Sequence, residues 1–185
     1  MKKTQLIVFA LAAIIVTATM GACNKDDDPQ MTTKTLYDSL GGTTMVADPA
    51  NAGAMIQQGR LGIRSVVDST IFVIAGDTAI NGYFTVLLTE VTMGNTSGFE
   101  ALSKNLTDFF CVATGAKDFT YTGKNMVDAH NPATNPRMNG KAENDDFDAF
   151  VVDLVAGAKQ NALPDNLIAR VGEIVGTLRS QVVQQ

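Results

Sequence analysis

The chain has 185 residues, with 14 lysines and arginines against 19 aspartates and glutamates, and its formal net charge is −5. An acidic chain of this kind lacks the positive surface that nucleic-acid binding requires, so that class of function is excluded. One histidine and two cysteines cannot supply the four nitrogen or sulfur ligands of a structural zinc site, which excludes such metal centres as well.

The first 22 residues resemble a bacterial lipoprotein signal. Lys2 and Lys3 precede an apolar stretch, residues 6–19, which is long enough for a secretory signal but shorter than the ~20 residues of a membrane span. Met20-Gly21-Ala22-Cys23 follows, and small residues before a cysteine suit a peptidase that acts on a lipidated cysteine. We therefore predict a signal peptide over 1–22 and lipidation of Cys23. The alternative is an ordinary signal peptide followed by an incidental cysteine.

Residues 23–34 are polar and acidic, and they predict a solvated tether. Lys25 followed by Asp26, Asp27 and Asp28 also resembles the surface-export signal of lipoproteins in one Gram-negative phylum. This favours a protein that is lipid-anchored to the outer membrane at the cell surface, although a simple linker explains the same residues. Loss of residues 1–22 removes two lysines and makes the net charge −7. Residues 35–185 have the length of one domain, in which Cys111 is expected to be a small buried side chain.

The domain shows helical periodicity along most of its length. A short amphipathic turn at 35–40 ends at two glycines, residues 43–62 resemble an insertion with one short helix around 54–58, and residues 85–98 have no clear pattern. Apolar residues recur at helical spacing in four longer stretches. These stretches are 63–75, 99–113, 147–158 and 164–182. The sequence therefore predicts an all-α domain with about five main helices.

The only histidine, His130, closes the stretch Tyr121-Thr122-Gly123-Lys124-Asn125-Met126-Val127-Asp128-Ala129-His130. Met126 and His130 are four residues apart and would share one face of a helix. A neutral imidazole binds haem iron well, so His130 is a candidate axial ligand. The alternative is a structural or surface histidine.

Together these residues resemble a group 1 truncated haemoglobin. Leu36-Tyr37-Asp38-Ser39-Leu40-Gly41-Gly42 is similar to the opening LYxxLGG of that family, and Val66-Val67-Asp68 through Tyr83-Phe84 follows its B helix and CD corner without a gap. Tyr121-Thr122-Gly123 through His130 resembles its YTGxxM…H block, and Phe147-Asp148-Ala149-Phe150 resembles the start of its next helix. The resemblance covers most of 35–183, interrupted by insertions near 43–60, 85–97 and 131–144.

The resemblance implies a two-over-two helical sandwich around haem b. His130 takes the position of the proximal ligand to the iron, and Phe84 that of the aromatic residue that packs on the haem in the corner. Met126 and Tyr121 belong to the same block on the proximal side, and Phe147 and Phe150 would form the pocket wall.

The chain departs from the family on the distal side. The family places a tyrosine where the match puts Ile71, and a polar residue on the E helix where it puts Leu102 or Leu106. A hydrogen bond to a charged group is worth roughly 1.5–3 kcal/mol, and dioxygen on ferrous haem carries negative charge. An apolar distal pocket therefore predicts fast oxygen loss, or a preference for CO or NO. In the alternative, Asn105, Thr107 or Tyr83 turns inward and supplies the donor.

Three functions follow from these residues. The favoured one is a haem-binding globin that reversibly binds oxygen or another diatomic ligand, as in oxygen transport, and is not an enzyme. The second is a haem enzyme such as an NO dioxygenase or peroxidase, which would need a polar distal group. The third is a surface-anchored globin-fold interaction module without haem, which the insertions favour and the presence of His130 at the proximal position disfavours. The expected partners are a gas ligand and the membrane.

Overall fold

Residues 34–185 are described by the computed structural model. The predicted signal peptide, Cys23 and the tether up to residue 33 lie outside this range, so their predictions are not tested by the fold.

The described residues are mainly helical. In chain order the elements are α1 (Leu36–Ser39), β1 (Met45–Ala47), β2 (Met55–Gln57), α2 (Gln58–Gly76), a 3₁₀ helix (Asn81–Phe84), α3 (Thr85–Thr92), α4 (Ser97–Ala113), α5 (Met126–Ala129), α6 (Asn144–Gln160), α7 (Asp165–Gly176) and α8 (Arg179–Val182). Five of these helices, α2, α3, α4, α6 and α7, have eight residues or more. The all-α prediction with about five main helices is therefore confirmed.

The chain reverses direction at two glycines directly after α1. Thr35 caps α1, because its side chain accepts a hydrogen bond from the Asp38 amide while the Asp38 carboxylate accepts one from the Thr35 amide. Gly41 then adopts φ = +120°, and a Cβ there would lie 2.7 Å from Cγ of Gln58. Only glycine fits this turn, as the LGG motif predicted.

The prediction of a short helix around 54–58 is wrong. Residues 43–57 instead form a β-hairpin of two antiparallel strands, in which Val46 pairs with Ile56. Helix α2 begins at Gln58, directly after the second strand. Ile56 is buried whereas its neighbour Met55 is 57% exposed, which is the two-residue alternation of a strand. Arg64 on α2 holds the hairpin through an ion pair to Asp48 of 2.7 Å.

Two helix pairs form the body of the domain, α2 with α4 and α6 with α7, and α2 packs most extensively against α6. Helices α2 and α6 run antiparallel, since Asn161 after α6 donates to Ser65 and Ser69 near the start of α2. The buried core draws on α1, α2, α4, α6 and α7. Its members are Tyr37, Ile63, Val67, Ile71, Phe110, Cys111, Phe147, Leu154 and Val175. This arrangement agrees with the two-over-two helical sandwich that the sequence resemblance implies.

The closest approach of α2 and α6 depends on Gly157. A Cβ at Gly157 would lie 2.7 Å from the backbone nitrogen of Thr70, whereas a Cβ at Gly172 on α7 would meet nothing within 4 Å. Gly157→Ala should therefore lower the free energy of unfolding by about 1–3 kcal/mol, the usual cost of overpacking. Gly172→Ala is the matched control and should raise that free energy by up to ~1 kcal/mol through helix propensity. Urea unfolding measures both, and equal stability of the two variants would contradict the assignment of Gly157.

No single helix between residues 34 and 185 is both long and apolar enough to cross a membrane. The segments 58–76 and 81–92 reach that length and composition only as a pair bent by 107°.

Candidate functional site

His130 follows the four-residue helix α5 and forms its C-cap. Asn125 starts the helix, because its side-chain oxygen accepts a hydrogen bond of 2.9 Å from the Asp128 amide. The helix therefore begins at a defined residue, and Met126 and His130 lie one turn apart as the sequence predicted. Both side chains are half-buried.

The His130 ring is oriented by the backbone of its own turn. Its Nδ1 lies 2.8 Å from the carbonyl oxygen of Met126. Burial lowers the pKa of His130, against a smaller opposite effect of this hydrogen bond, so the imidazole is neutral at pH 7. A carbonyl only accepts hydrogen bonds, so Nδ1 carries the proton and Nε2 keeps its lone pair. This is the tautomer that a metal-ligating histidine needs.

Helix α4 presents two different faces. Ser103, Thr107 and Cys111 are buried, and the Ser103 hydroxyl donates to Asp68 on α2 while Arg60 of α2 contacts the Cys111 sulfur. The other face is apolar and partly buried at the edge of the core. It carries Phe99, Leu102, Leu106 and Phe109. The predicted distal residues Leu102 and Leu106 therefore share one apolar face.

The structure brings together most of the predicted pocket residues. Ile71 and Phe147 belong to the buried core, and Leu102, Leu106 and Phe150 pack against it. The ring of Tyr121 lies edge-on to that of Phe109, with 5.6 Å between their centroids, which connects the segment before α5 to the apolar face of α4. Phe84, Met126 and His130 are not among the residues of this cluster and remain half-buried on their own segments.

The side chains that could have supplied a distal hydrogen bond are engaged elsewhere or face away. The Tyr83 hydroxyl donates to Asp146 at 2.6 Å. Asn105 is exposed, and Thr107 is fully buried on the face of Ser103 and Cys111, where its hydroxyl has no hydrogen-bond partner among residues 34–185. In this structure, therefore, none of Asn105, Thr107 and Tyr83 lies on the face that carries Leu102 and Leu106.

The hydrogen bond between Tyr83 and Asp146 joins the corner before α3 to the start of α6. The Asp146 carboxylate, and secondarily burial, raises the pKa of Tyr83 to about 12. The folded pKa thus exceeds the ordinary value of about 10. The bond stabilises the fold fully below pH 10, and this contribution is lost as the pH rises through 12. We expect Tyr83→Phe to cost about 1 kcal/mol at pH 7 and progressively less towards pH 12. Urea unfolding at pH 7, 10 and 11.5 measures this, and a pH-independent difference would contradict it.

A segment that the sequence left without structure, residues 131–143, makes defined contacts around α5. We call it the strap. Asn135 donates from its side chain to the Ala129 carbonyl at 2.7 Å, and Thr134 donates to the Asp128 carbonyl at 2.9 Å. Sequence patterns missed these residues, although Asn131-Pro132 and Asn135-Pro136 indicated turns.

A cavity of about 480 Å³ lies away from His130. It is lined by α2, the end of α4, the connection between α6 and α7, and the turn after α1, with apolar side chains such as Ile63, Phe110 and Leu167. None of residues 121–130 lines it, so it is a separate feature from the histidine site.

Within residues 34–185, no three imidazole, thiol or carboxylate groups are arranged to hold a metal ion. A single imidazole such as that of His130 can still bind an iron whose other ligands come from a macrocycle.

Comparison with known proteins supports this assignment at the level of the fold. No protein-family model matches the chain, and no curated protein matches it. Among solved structures, it is similar to two variants of truncated haemoglobin from Tetrahymena pyriformis in the Fe(III) form, one with tyrosine replaced by phenylalanine and one with glutamine replaced by glutamate. Each has 20% sequence identity and a TM-score of 0.58, and the match covers 82% of this chain and 99% of the other. The chain therefore has the truncated-globin fold.

Proposed function

We propose that this protein binds haem b through His130 and reversibly binds a diatomic gas at the iron. The observation that carries the proposal is the His130 ring, which is neutral and donates from Nδ1 to the Met126 carbonyl, so that the Nε2 lone pair is available. The truncated-globin fold supports it, because the similar solved structures are haemoglobins.

The apolar residues that the resemblance assigns to the haem pocket would fit a flat apolar group. Leu102, Leu106 and Phe109 form a continuous apolar face on α4, and Tyr121 extends this face towards α5. Phe147 and Phe150 add aromatic surface from α6, with 6.3 Å between their ring centroids. When bound, haem supplies an iron that holds a diatomic ligand opposite the histidine. The protein's own part is to provide the axial nitrogen, to exclude water and to set the polarity of the opposite wall.

A simple gas-binding role is favoured over an enzymatic one. Peroxidase and dioxygenase chemistry needs a polar group near the reacting ligand. The proposed distal residues Ile71, Leu102 and Leu106 are all aliphatic, and the Tyr83 hydroxyl is held by Asp146. These observations support binding of a ligand without turnover.

Titration of the purified protein with haemin tests the proposal. We expect saturation at one haem per chain, with a Soret band that sharpens and shifts on reduction and on addition of CO. Absence of stoichiometric uptake would refute haem binding and would favour the alternative of a haem-free interaction module.

We also propose that Cys23 is lipidated and anchors the domain to the outer membrane, with the acidic tether as a spacer. Lys2, Lys3, the apolar stretch 6–19 and Met20-Gly21-Ala22-Cys23 support this. Cys23→Ser should release the protein from the membrane fraction of a Gram-negative expression host. Retention of the variant there would contradict the anchor, and protease accessibility on intact cells tests the surface location.

A further inference from the structure

The four-residue helix α5 has a donor for each of its four carbonyl groups. The Met126 carbonyl accepts from the His130 ring, and the Val127 carbonyl accepts from the side-chain amide of Gln184 at 2.7 Å. Two strap residues supply the other donors, Thr134 for Asp128 and Asn135 for Ala129. Three of the four donors therefore come from side chains outside the helix and its cap.

Such support is needed because α5 is too short to hold itself. The last carbonyls of a helix lack partners within it, and in α5 only the Met126 carbonyl accepts from the backbone, from the His130 amide at 3.2 Å. Helices of one turn are also unstable in isolation, since nucleation fixes several residues for one hydrogen bond. The His130 ring takes its direction from the Met126 carbonyl, so any loosening of α5 changes the direction of Nε2.

The strap is itself held by α3 and by the 3₁₀ helix at Asn81–Phe84. Arg137 donates two hydrogen bonds to the Glu90 carboxylate on α3, one of them 2.8 Å long. Asn139 donates from its side chain to the Gly82 carbonyl at 3.0 Å and from its amide to the Tyr83 carbonyl at 3.3 Å. Thr134 and Asn135, which donate to α5, therefore belong to a segment that is itself held in place.

We propose that Gln184, Thr134 and Asn135 are positioning residues that hold the His130 imidazole in its iron-binding orientation by capping the carbonyls of α5. The proposal rests on the proposed haem-binding function, because the orientation of the His130 imidazole matters for binding iron at Nε2. The ring geometry it describes also exists without haem.

The test compares two pairs of variants. Gln184→Glu removes the donor to Val127, and Gln185→Glu is its matched control, because the Gln185 side chain donates instead to the Lys141 carbonyl. Thr134→Val removes the donor to Asp128 with little change in size, and Thr134→Ser restores a hydroxyl.

The first readout is the ¹⁵N spectrum of the imidazole in the haem-free protein, which is unambiguous because the chain has one histidine. The second is the rate of haem transfer to excess apomyoglobin.

We expect Gln184→Glu and Thr134→Val to mix the two neutral tautomers and to speed haem loss by clearly more than twofold. The effect should stay below the roughly 10–100-fold cost of removing a direct partner of a metal-binding histidine, because these residues act on the imidazole through α5. Gln185→Glu and Thr134→Ser should stay within twofold of the parent. Equal spectra and equal rates within each pair would overturn the proposal, as would haem loss that merely follows the fall in thermal stability across all four variants. If the parent takes up no haem, the function proposed above fails, and the tautomer spectrum alone decides the positioning role.

Discussion

Replacing His130 with glycine should abolish high-affinity haem uptake, and added imidazole should restore it. The loss follows because His130 is the chain's only imidazole. Removing a mere partner of a ligating histidine costs 10–100-fold in metal affinity, so we expect loss of the ligand itself to cost more than about 100-fold. Haemin titration followed by the Soret band measures the effect in the parent and the variant, with and without imidazole.

Imidazole rescue is the control that separates ligation from folding. His130 is the C-cap of α5 and is only half-buried, so glycine there should leave the helices of the domain intact. A His130→Gly protein with parental far-ultraviolet circular dichroism and a Soret band recovered by imidazole would support ligation. An unchanged Soret band without imidazole would show that another residue holds the iron.

Replacing Ile71 with tyrosine should slow the loss of oxygen. The resemblance to truncated haemoglobins puts Ile71 at the position of their usual tyrosine, and Ile71 is buried in the core against which Leu102 and Leu106 pack. A hydroxyl there would donate to dioxygen with a gain of about 1.5–3 kcal/mol. Since every 1.4 kcal/mol is a factor of ten, the off-rate should fall by roughly ten- to a hundredfold. Stopped-flow displacement of oxygen by CO measures it.

Ile71→Phe is the matched control, because it adds the ring without the hydroxyl. Ile71→Phe should leave the oxygen off-rate near that of the parent. In both variants the CO off-rate should change much less than the oxygen off-rate changes in Ile71→Tyr. A parent whose oxygen loss is already as slow as that of tyrosine-bearing truncated globins would contradict the apolar distal pocket. Equal oxygen rates in the tyrosine and phenylalanine variants would do so too.

Helix α2 shows why the main helices could be predicted. Its run from Ile63 to Ile74 is rich in β-branched residues, whose propensity alone allows a strand. The apolar residues nevertheless recur with helical spacing, and Ile63, Val67, Ile71 and Ile74 are all buried. Burial of one continuous face outweighs local propensity, and the sequence displays that face directly.

The hairpin and the strap could not be predicted, for two different reasons. Each hairpin strand has three residues, and one buried Ile56 next to an exposed Met55 is too short a pattern to distinguish from a helical turn. The strap is held by polar side chains, of which Thr134 and Asn135 bond to carbonyls six residues away and Asn139 bonds to a distant carbonyl. Asn139 and Gly82 are 57 residues apart, and such polar pairs have no periodicity.

The chemistry at His130 was only partly visible in the sequence. The position of the histidine four residues after Met126 predicted a shared turn, and the structure has that turn. The state of the ring depends on the distance from Nδ1 to one carbonyl and on burial by other segments, which the sequence does not display. The hydroxyl of Tyr83 is a similar case, because its bond to Asp146 joins residues 63 positions apart.

The support of α5 by Gln184 also bears on when the site is completed during biosynthesis. The chain is synthesised from its amino end, so His130 emerges 54 residues ahead of Gln184. Until that glutamine arrives, the Val127 carbonyl has no donor, α8 is not in place, and the imidazole has no fixed direction. Contacts of such high sequence separation form late in folding. On the proposed function, the support of α5 would therefore be complete, and haem would be held at full affinity, only after this segment has been synthesised and packed.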